Sequence, residues 1–263
     1  MKKAVVFDVA GTLLERYRAV KNVNTGKITD KGTTLEIIDD LPNTALVVLQ
    51  SDTRACIMKE NANTRFYDFL IKRNINIDIS YSSSDISKED IIKRLKNDKT
   101  LIKEFQEVAY ILAKNYEFIE ICSGSAFVFD ANKNKITHII AAGGKLFPNV
   151  KKVIKTLNHK QIDTYIASGD REDSLYEIGN IIKVPLSNVF PTMNMKGKGE
   201  IIKELKKKYK VMMVGNGPND VLAFKNADVS VLTLEQKEPV SQSLMQSAEY
   251  IINDIIEVLD IKF

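Results

Sequence analysis

Three short runs of uninterrupted apolar residues constrain this chain more than any other feature. They are Ala4-Val5-Val6-Phe7, Tyr165-Ile166-Ala167 with Ile162 just before it, and Val211-Met212-Met213-Val214. A strand with one wet face alternates apolar and polar residues. A run that is apolar on both faces fits a strand covered on both sides, as in a parallel sheet layered between helices. Helical patterns alternate with these runs. Val150, Val153, Ile154 and Leu157 share one face of a helix expected over 149–157, and further helices are expected over 173–182, 199–209 and 219–226. Strands are expected at 228–232 and 250–252. This rhythm predicts a doubly wound, parallel α/β sheet.

The stretch from about Leu14 to Ala141 breaks the rhythm. Strand-like pieces at 45–50 and 77–81 mix with helical ones at 64–72, 88–96 and 101–116. Segments 126–130 and 135–140 flank Ala131-Asn132-Lys133-Asn134 and read as a β-hairpin. The expected organisation is a core of residues 1–14 and 142–263, interrupted by a mixed α+β cap over 15–141. Gly143-Gly144 is expected to be a flexible return to the core.

Composition excludes several function classes. The net charge of +4 over 263 residues is small, and no aromatic-interleaved basic stripe accompanies it, so no nucleic-acid partner is expected. Lys206-Lys207-Lys208 reads as a solvated helix face. No apolar run approaches the ~18 residues of a membrane span, and the first residues make a poor signal peptide. Cys56 and Cys122, far apart and the only cysteines, suit a reducing, cytoplasmic setting. His138 and His159 are too few for a multi-histidine metal site. Oligomeric state is not readable.

Each apolar run ends in chemistry. The first is followed by Asp8-Val9-Ala10-Gly11-Thr12, the second by Ser168-Gly169-Asp170, the third by Gly215-Asn216-Gly217-Pro218-Asn219-Asp220. Ligands of open α/β sheets bind outside the carboxyl ends of the strands, so these turns converge. Glycines let a backbone bend and present N–H groups to an anion. Carboxylates beside an anion make sense if a hard divalent cation bridges them, and magnesium does so with one or two carboxylates plus phosphate. The same residues also have structural readings: Asp8 as a capping aspartate, Ser168 as a turn residue, Asp170 and Asp220 as helix-start residues.

Taken in order, Asp-x-x-Gly-Thr at 8–12, Ser-Gly-Asp at 168–170, a lysine, and Gly-Asn-Gly-x-Asn-Asp at 215–220 resemble the haloacid dehalogenase superfamily. Within it, the pattern is most similar to the phosphorylation domain of P-type ATPases and their soluble relatives. The likeness covers residues 1–14 and most of 140–263, not the insert. It implies a Rossmann-like core, a cap, a bound Mg2+ and a small phosphorylated substrate. Asp8 is then the nucleophile that becomes an aspartyl phosphate, with Lys198 as the catalytic lysine and Lys196 its competitor. Thr12, Ser168, the Gly169 amide and Asn219 would bind phosphate. Asp8, the Ala10 carbonyl, Asn216 and Asp220 would hold the metal.

Two positions depart from the pattern. Most phosphatases of the superfamily carry a second aspartate, the general acid/base, where this chain has Ala10. Losing such a group removes ~10²–10⁴-fold of rate. Asn216 stands where many relatives have aspartate and brings an amide oxygen without charge. Three functions are consistent with this: a magnesium-dependent phosphohydrolase or phosphotransferase, a phosphonatase of the phosphonoacetaldehyde-hydrolase kind, or a weakened phosphate- or nucleotide-binding module. The phosphonatase reading needs a cap lysine, for which Lys21, Lys27, Lys31 and Lys59 are candidates.

Overall fold

The computed structural model describes residues 2–29, 42–53, 55–83, 85–115 and 121–263. Two compact units emerge: Met1–Arg16 with Lys145–Phe263, and Tyr17–Gly144 between them. The strands, in chain order, are β1 Lys2–Phe7, β2 Leu14–Asn22, β3 Ile28–Thr29, β4 Thr44–Leu49, β5 Ile77–Ser82, β6 Ile121–Asp130, β7 Lys135–Leu146, β8 Asp163–Ala167, β9 Val189–Phe190, β10 Tyr209–Gly215, β11 Val229–Thr233 and β12 Tyr250–Ile252.

The first unit is built on a six-stranded sheet ordered β12-β11-β10-β1-β8-β9. Every neighbouring pair is parallel, with β1 central: Phe7 pairs with Val214 on one side and Ile166 on the other. The three apolar runs are thus three adjacent strands. Val5, Val6, Phe7, Ile166, Met212, Met213 and Val214 are all fully buried, which explains why they show no polar alternation. Helices Val150–His159, Glu172–Ile182, Met195–Lys206 and Val221–Asn226 connect the strands. The first buries Val150, Val153, Ile154 and Leu157, the face read from the sequence.

One helix corrects the sequence reading. It spans Met195–Lys206, not 199–209, because the Asn194 side chain caps it by accepting the Gly197 N–H at 2.9 Å. Such a cap satisfies one of the orphan donors of a first turn. The sequence reading begins the helix at Gly199, just after Lys198.

The second unit carries its own six-stranded sheet, ordered β3-β2-β7-β6-β4-β5. The β6–β7 hairpin pairs antiparallel from Asp130 and Lys135 at its turn. Helices Phe66–Arg73, Lys88–Leu95 and Ile102–Asn115 complete the unit; residue 116, the expected end of the last, lies outside the described residues. Its core centres on Phe66, which stacks on Phe105 with ring centroids 4.4 Å apart and meets Phe127 edge-on at 5.3 Å. Gly143 and Gly144 are not a flexible return. They lie inside β7, and Gly144 pairs with Ile121 of β6. The boundaries between units fall within strands β2 and β7. Among the described residues, no helix is long and apolar enough to cross a membrane.

Candidate active site

The order β10-β1-β8 sets the chain segments after these strands side by side at one sheet edge. Asp8 follows β1 directly, is 3% exposed, and its N–H donates to the Val214 carbonyl of β10 at 2.9 Å. The chain then turns sharply: the N–H groups of Thr12, Leu13 and Leu14 all donate to the Val9 carbonyl at 2.9–3.1 Å. None of these bonds uses the Ala10 carbonyl. Gly11 permits the turn, since its φ of +86° is one that side chains disfavour, and a Cβ there would lie 2.1 Å from Asn216 Nδ2. The two loops therefore touch at Gly11 and Asn216. Thr12 Oγ1, fully buried, donates to Asn216 Oδ1 at 3.4 Å.

Lys198 ties the loops together. Its Nζ donates to Asp8 Oδ1 at 2.6 Å and to Asp220 Oδ1 at 2.7 Å, and the side chain is wholly buried. It belongs to the first turn of its helix, with its N–H bonded to the Asn194 carbonyl at 2.9 Å. Lys196, two residues earlier, is exposed. Burial works against the ammonium, but Asp220 and Asp8 outweigh it and hold Lys198 well above the ordinary lysine range.

Asp220 accepts three hydrogen bonds from within the protein. Besides the lysine, its Oδ2 accepts the N–H groups of Asn216 and Gly217, both at 3.1 Å. This fold-back needs Gly215, where a Cβ would meet Asp220 Oδ2 at 2.4 Å. Asp220 thus fixes the Gly215–Gly217 turn and the lysine. Asn219 is half-buried and curls over Gly217 in the same loop.

On the other side of β1, Ser168 is 2% exposed. Its N–H donates to the Phe190 carbonyl at 3.2 Å, and its Oγ donates to Asp170 Oδ2 at 2.8 Å. Burial and the Asp8 charge push the Asp170 carboxyl up; the Ser168 hydroxyl, Lys198 and Arg16 pull it back. Gly169 lies between them, half-buried.

The donor set suits a divalent cation. Asp8, Asp170 and Asp220 outnumber the Lys198 ammonium, and Arg16, whose charge also reaches Asp170, is shared with Glu238 at 2.7 Å. Among the described residues, no group of three or more His, Cys, Asp or Glu side chains is arranged to hold a metal alone. Magnesium does not need one: it takes one or two carboxylates, neutral oxygens, water and substrate phosphate. Asp8, Asn216 and the Ala10 carbonyl are the oxygens expected from the sequence to provide such a set.

Asp170, one of the three carboxylates expected to converge here, was given no role beyond a possible helix start, and sequence reasoning passed over one further residue of this neighbourhood. Arg16 falls in the stretch read as cap, yet its charge acts on Asp170 and its Nε is buried without a hydrogen-bond partner. No pattern in the sequence marks the role of Arg16.

A family model for haloacid dehalogenase-like hydrolases matches residues 2–228. The chain is 36% identical over 262 residues to a soluble P-type ATPase-like phosphatase of Methanocaldococcus jannaschii, covering 99% of this chain and 93% of that one. It is 28% identical over 171 residues to a probable copper-importing P-type ATPase A of Enterococcus hirae, covering 63% of this chain and 22% of that one. Against phosphoserine phosphatase of Bos taurus it is 26% identical over 136 residues, 43% of this chain and 60% of that one.

Proposed function

Because the chain belongs to the haloacid dehalogenase-like hydrolase family, we propose that it is a magnesium-dependent phosphatase working through an aspartyl phosphate on Asp8. The observation that carries this reading is the buried Lys198 ammonium, bonded at once to Asp8 and Asp220. A nucleophilic carboxylate must approach a phosphoryl group that is itself negative, and a fixed cation beside it reduces that repulsion. Lys198 holds Asp8 Oδ1, which leaves Oδ2 as the oxygen to meet phosphorus.

Asp8 forms a bond to phosphorus as the substrate's ester oxygen leaves with its bonding pair. Water then attacks the aspartyl phosphate, releasing phosphate and restoring Asp8. Ser168, the Gly169 N–H, Thr12 and Asn219 are the proposed phosphate contacts. Bound magnesium, held by Asp8, Asn216 and the Ala10 carbonyl, would supply charge neutralisation at the phosphoryl oxygens. Asp220 was expected among the metal ligands; its bonds to three protein donors favour a positioning role instead.

No side chain at position 10 can protonate the leaving oxygen. The substrates that suit this chain are small phosphorylated metabolites whose leaving group departs without help, such as acyl phosphates and phosphoanhydrides. The cytoplasm is the proposed compartment, where Cys56, a free thiol, would stay reduced.

The test is phosphate release with magnesium from a panel of acyl phosphates, anhydrides, alkyl phosphates and phosphonoacetaldehyde. Turnover that favours the first two groups and vanishes in Asp8→Asn is expected. Activity on the phosphonate that borohydride traps covalently would move the assignment to a phosphonatase. Phosphate binding with no turnover of any substrate would make the chain a binding module.

A further inference from the structure

Ser168 has one hydroxyl proton, and the structure shows where it goes. The Oγ donates to Asp170 Oδ2 at 2.8 Å and accepts the Asp170 N–H at 3.4 Å. Both directions of the hydroxyl are used inside its own turn. An arriving phosphoryl oxygen, itself an acceptor, would face lone pairs and no proton. For Ser168 to donate to phosphate, the hydroxyl must rotate away from Asp170 and break a charge-assisted bond, one of the stronger kinds.

Resting on the phosphatase reading above, we propose that Asp170 is a positioning residue that competes with phosphate for the Ser168 hydroxyl and thereby loosens the enzyme's hold on the phosphate it releases. No proton changes owner; a hydroxyl turns from one acceptor to another. The surroundings allow the exchange. Ser168 is nearly sealed from solvent, so water does not stand in for the missing donor. Asp170 is not stranded when the hydroxyl turns, because Lys198 and Arg16 also act on its charge and Arg16 Nε is buried without a partner.

The variant that isolates the effect is Asp170→Asn, whose amide N–H can donate to Ser168 Oγ and free the serine proton for phosphate. Inorganic phosphate is titrated calorimetrically, with magnesium present, into the wild type, Asp170→Asn, Ser168→Ala and the double variant. Phosphate should bind Asp170→Asn roughly tenfold to a hundredfold more tightly than wild type, the range of one charge-assisted hydrogen bond. Most of that gain should disappear in the Ser168→Ala background. In turnover, kcat should fall with KM when phosphate release limits the rate.

Removing a negative charge near an anion also tightens binding by itself. A gain that survives intact without the serine hydroxyl therefore overturns the proposal, as does no gain at all. If Asp170→Asn does not fold, Asp170→Ala removes the same acceptor and must show the same dependence on Ser168. Should the wild type and every variant fail to bind phosphate, the phosphatase reading fails and takes this proposal with it. Phosphate binding by the wild type with an additive cycle fails the proposal alone.

Discussion

A wholly buried ammonium between two carboxylates is held by those partners alone, and each partner depends on it in turn. Lys198→Met leaves Asp8 and Asp220 in the interior without their cation. Stability should fall by about 3–5 kcal/mol and phosphate release should be lost. Adding Asp8→Asn removes one stranded charge and should return part of that stability, an interaction that urea unfolding of the four-variant cycle would read. Additive losses would mean that the two groups are not coupled. Position 10 gives a second residue-scale expectation. Ala10→Asp restores a proton donor and should raise turnover of simple alkyl phosphates by up to ~10²–10⁴-fold. The gain should be much smaller for acyl phosphates, whose leaving group needs no proton. Steady-state rates on both classes decide the matter, and an equal gain on both would refute the leaving-group argument.

At the scale of elements, what the sequence revealed follows from how each element is buried. Strands β1, β8 and β10 announced themselves because both their faces are covered. Strand β2, Leu14–Asn22, did not: it carries Glu15, Arg16, Arg18 and Lys21, neither alternating nor apolar. It is a strand because its charges find partners, Lys21 with Glu104 and Glu107, and Arg16 with Glu238. The same limit hid Arg16, whose role depends on charges brought together from separate segments. Lys198, preferred over Lys196 from the sequence, is the buried one, and the Asn194 cap sets the phase of its helix. A pH expectation belongs at this scale too. On β7, His138 Nε2 meets Asn22 Nδ2 of β2 at 3.1 Å, and Nδ1 meets Thr137 Oγ1 at 3.1 Å. The amide is a donor, so this arrangement wants neutral imidazole. Burial lowers the His138 pKa below 6.5. The unfolded chain then binds the proton first. The stabilising contribution is complete above that ordinary value and is lost as pH falls towards the folded one. Melting temperature should drop between about pH 7 and about pH 5, more steeply in wild type than in His138→Gln. Identical profiles would exclude the histidine as the cause.

For the whole molecule, two compact units with separate cores predict separable unfolding. Phe66 packs against Phe69, Phe105 and Phe127 within Tyr17–Gly144, so Phe66→Ala should destabilise that unit by about 3–5 kcal/mol. Scanning calorimetry should then show one transition moving down while the other, from the unit with the parallel sheet, keeps its midpoint. A single transition shifting as a whole would mean that the units unfold together. The way the chain leaves and re-enters the parallel-sheet unit has a consequence for descent and for engineering. Strands β2 and β7 are neighbours in one sheet, the Phe147 N–H donates to the Leu13 carbonyl at 3.0 Å, and Lys145 pairs with Glu15 at 3.0 Å. The two cut ends are therefore already stapled side by side, and each doubling of the length of chain between them adds only about 0.6 kcal/mol of closure entropy. To the surrounding polypeptide the whole excursion is topologically a hairpin. A tight turn, or a foreign domain with adjacent termini, could be spliced in its place without disturbing how the remainder folds.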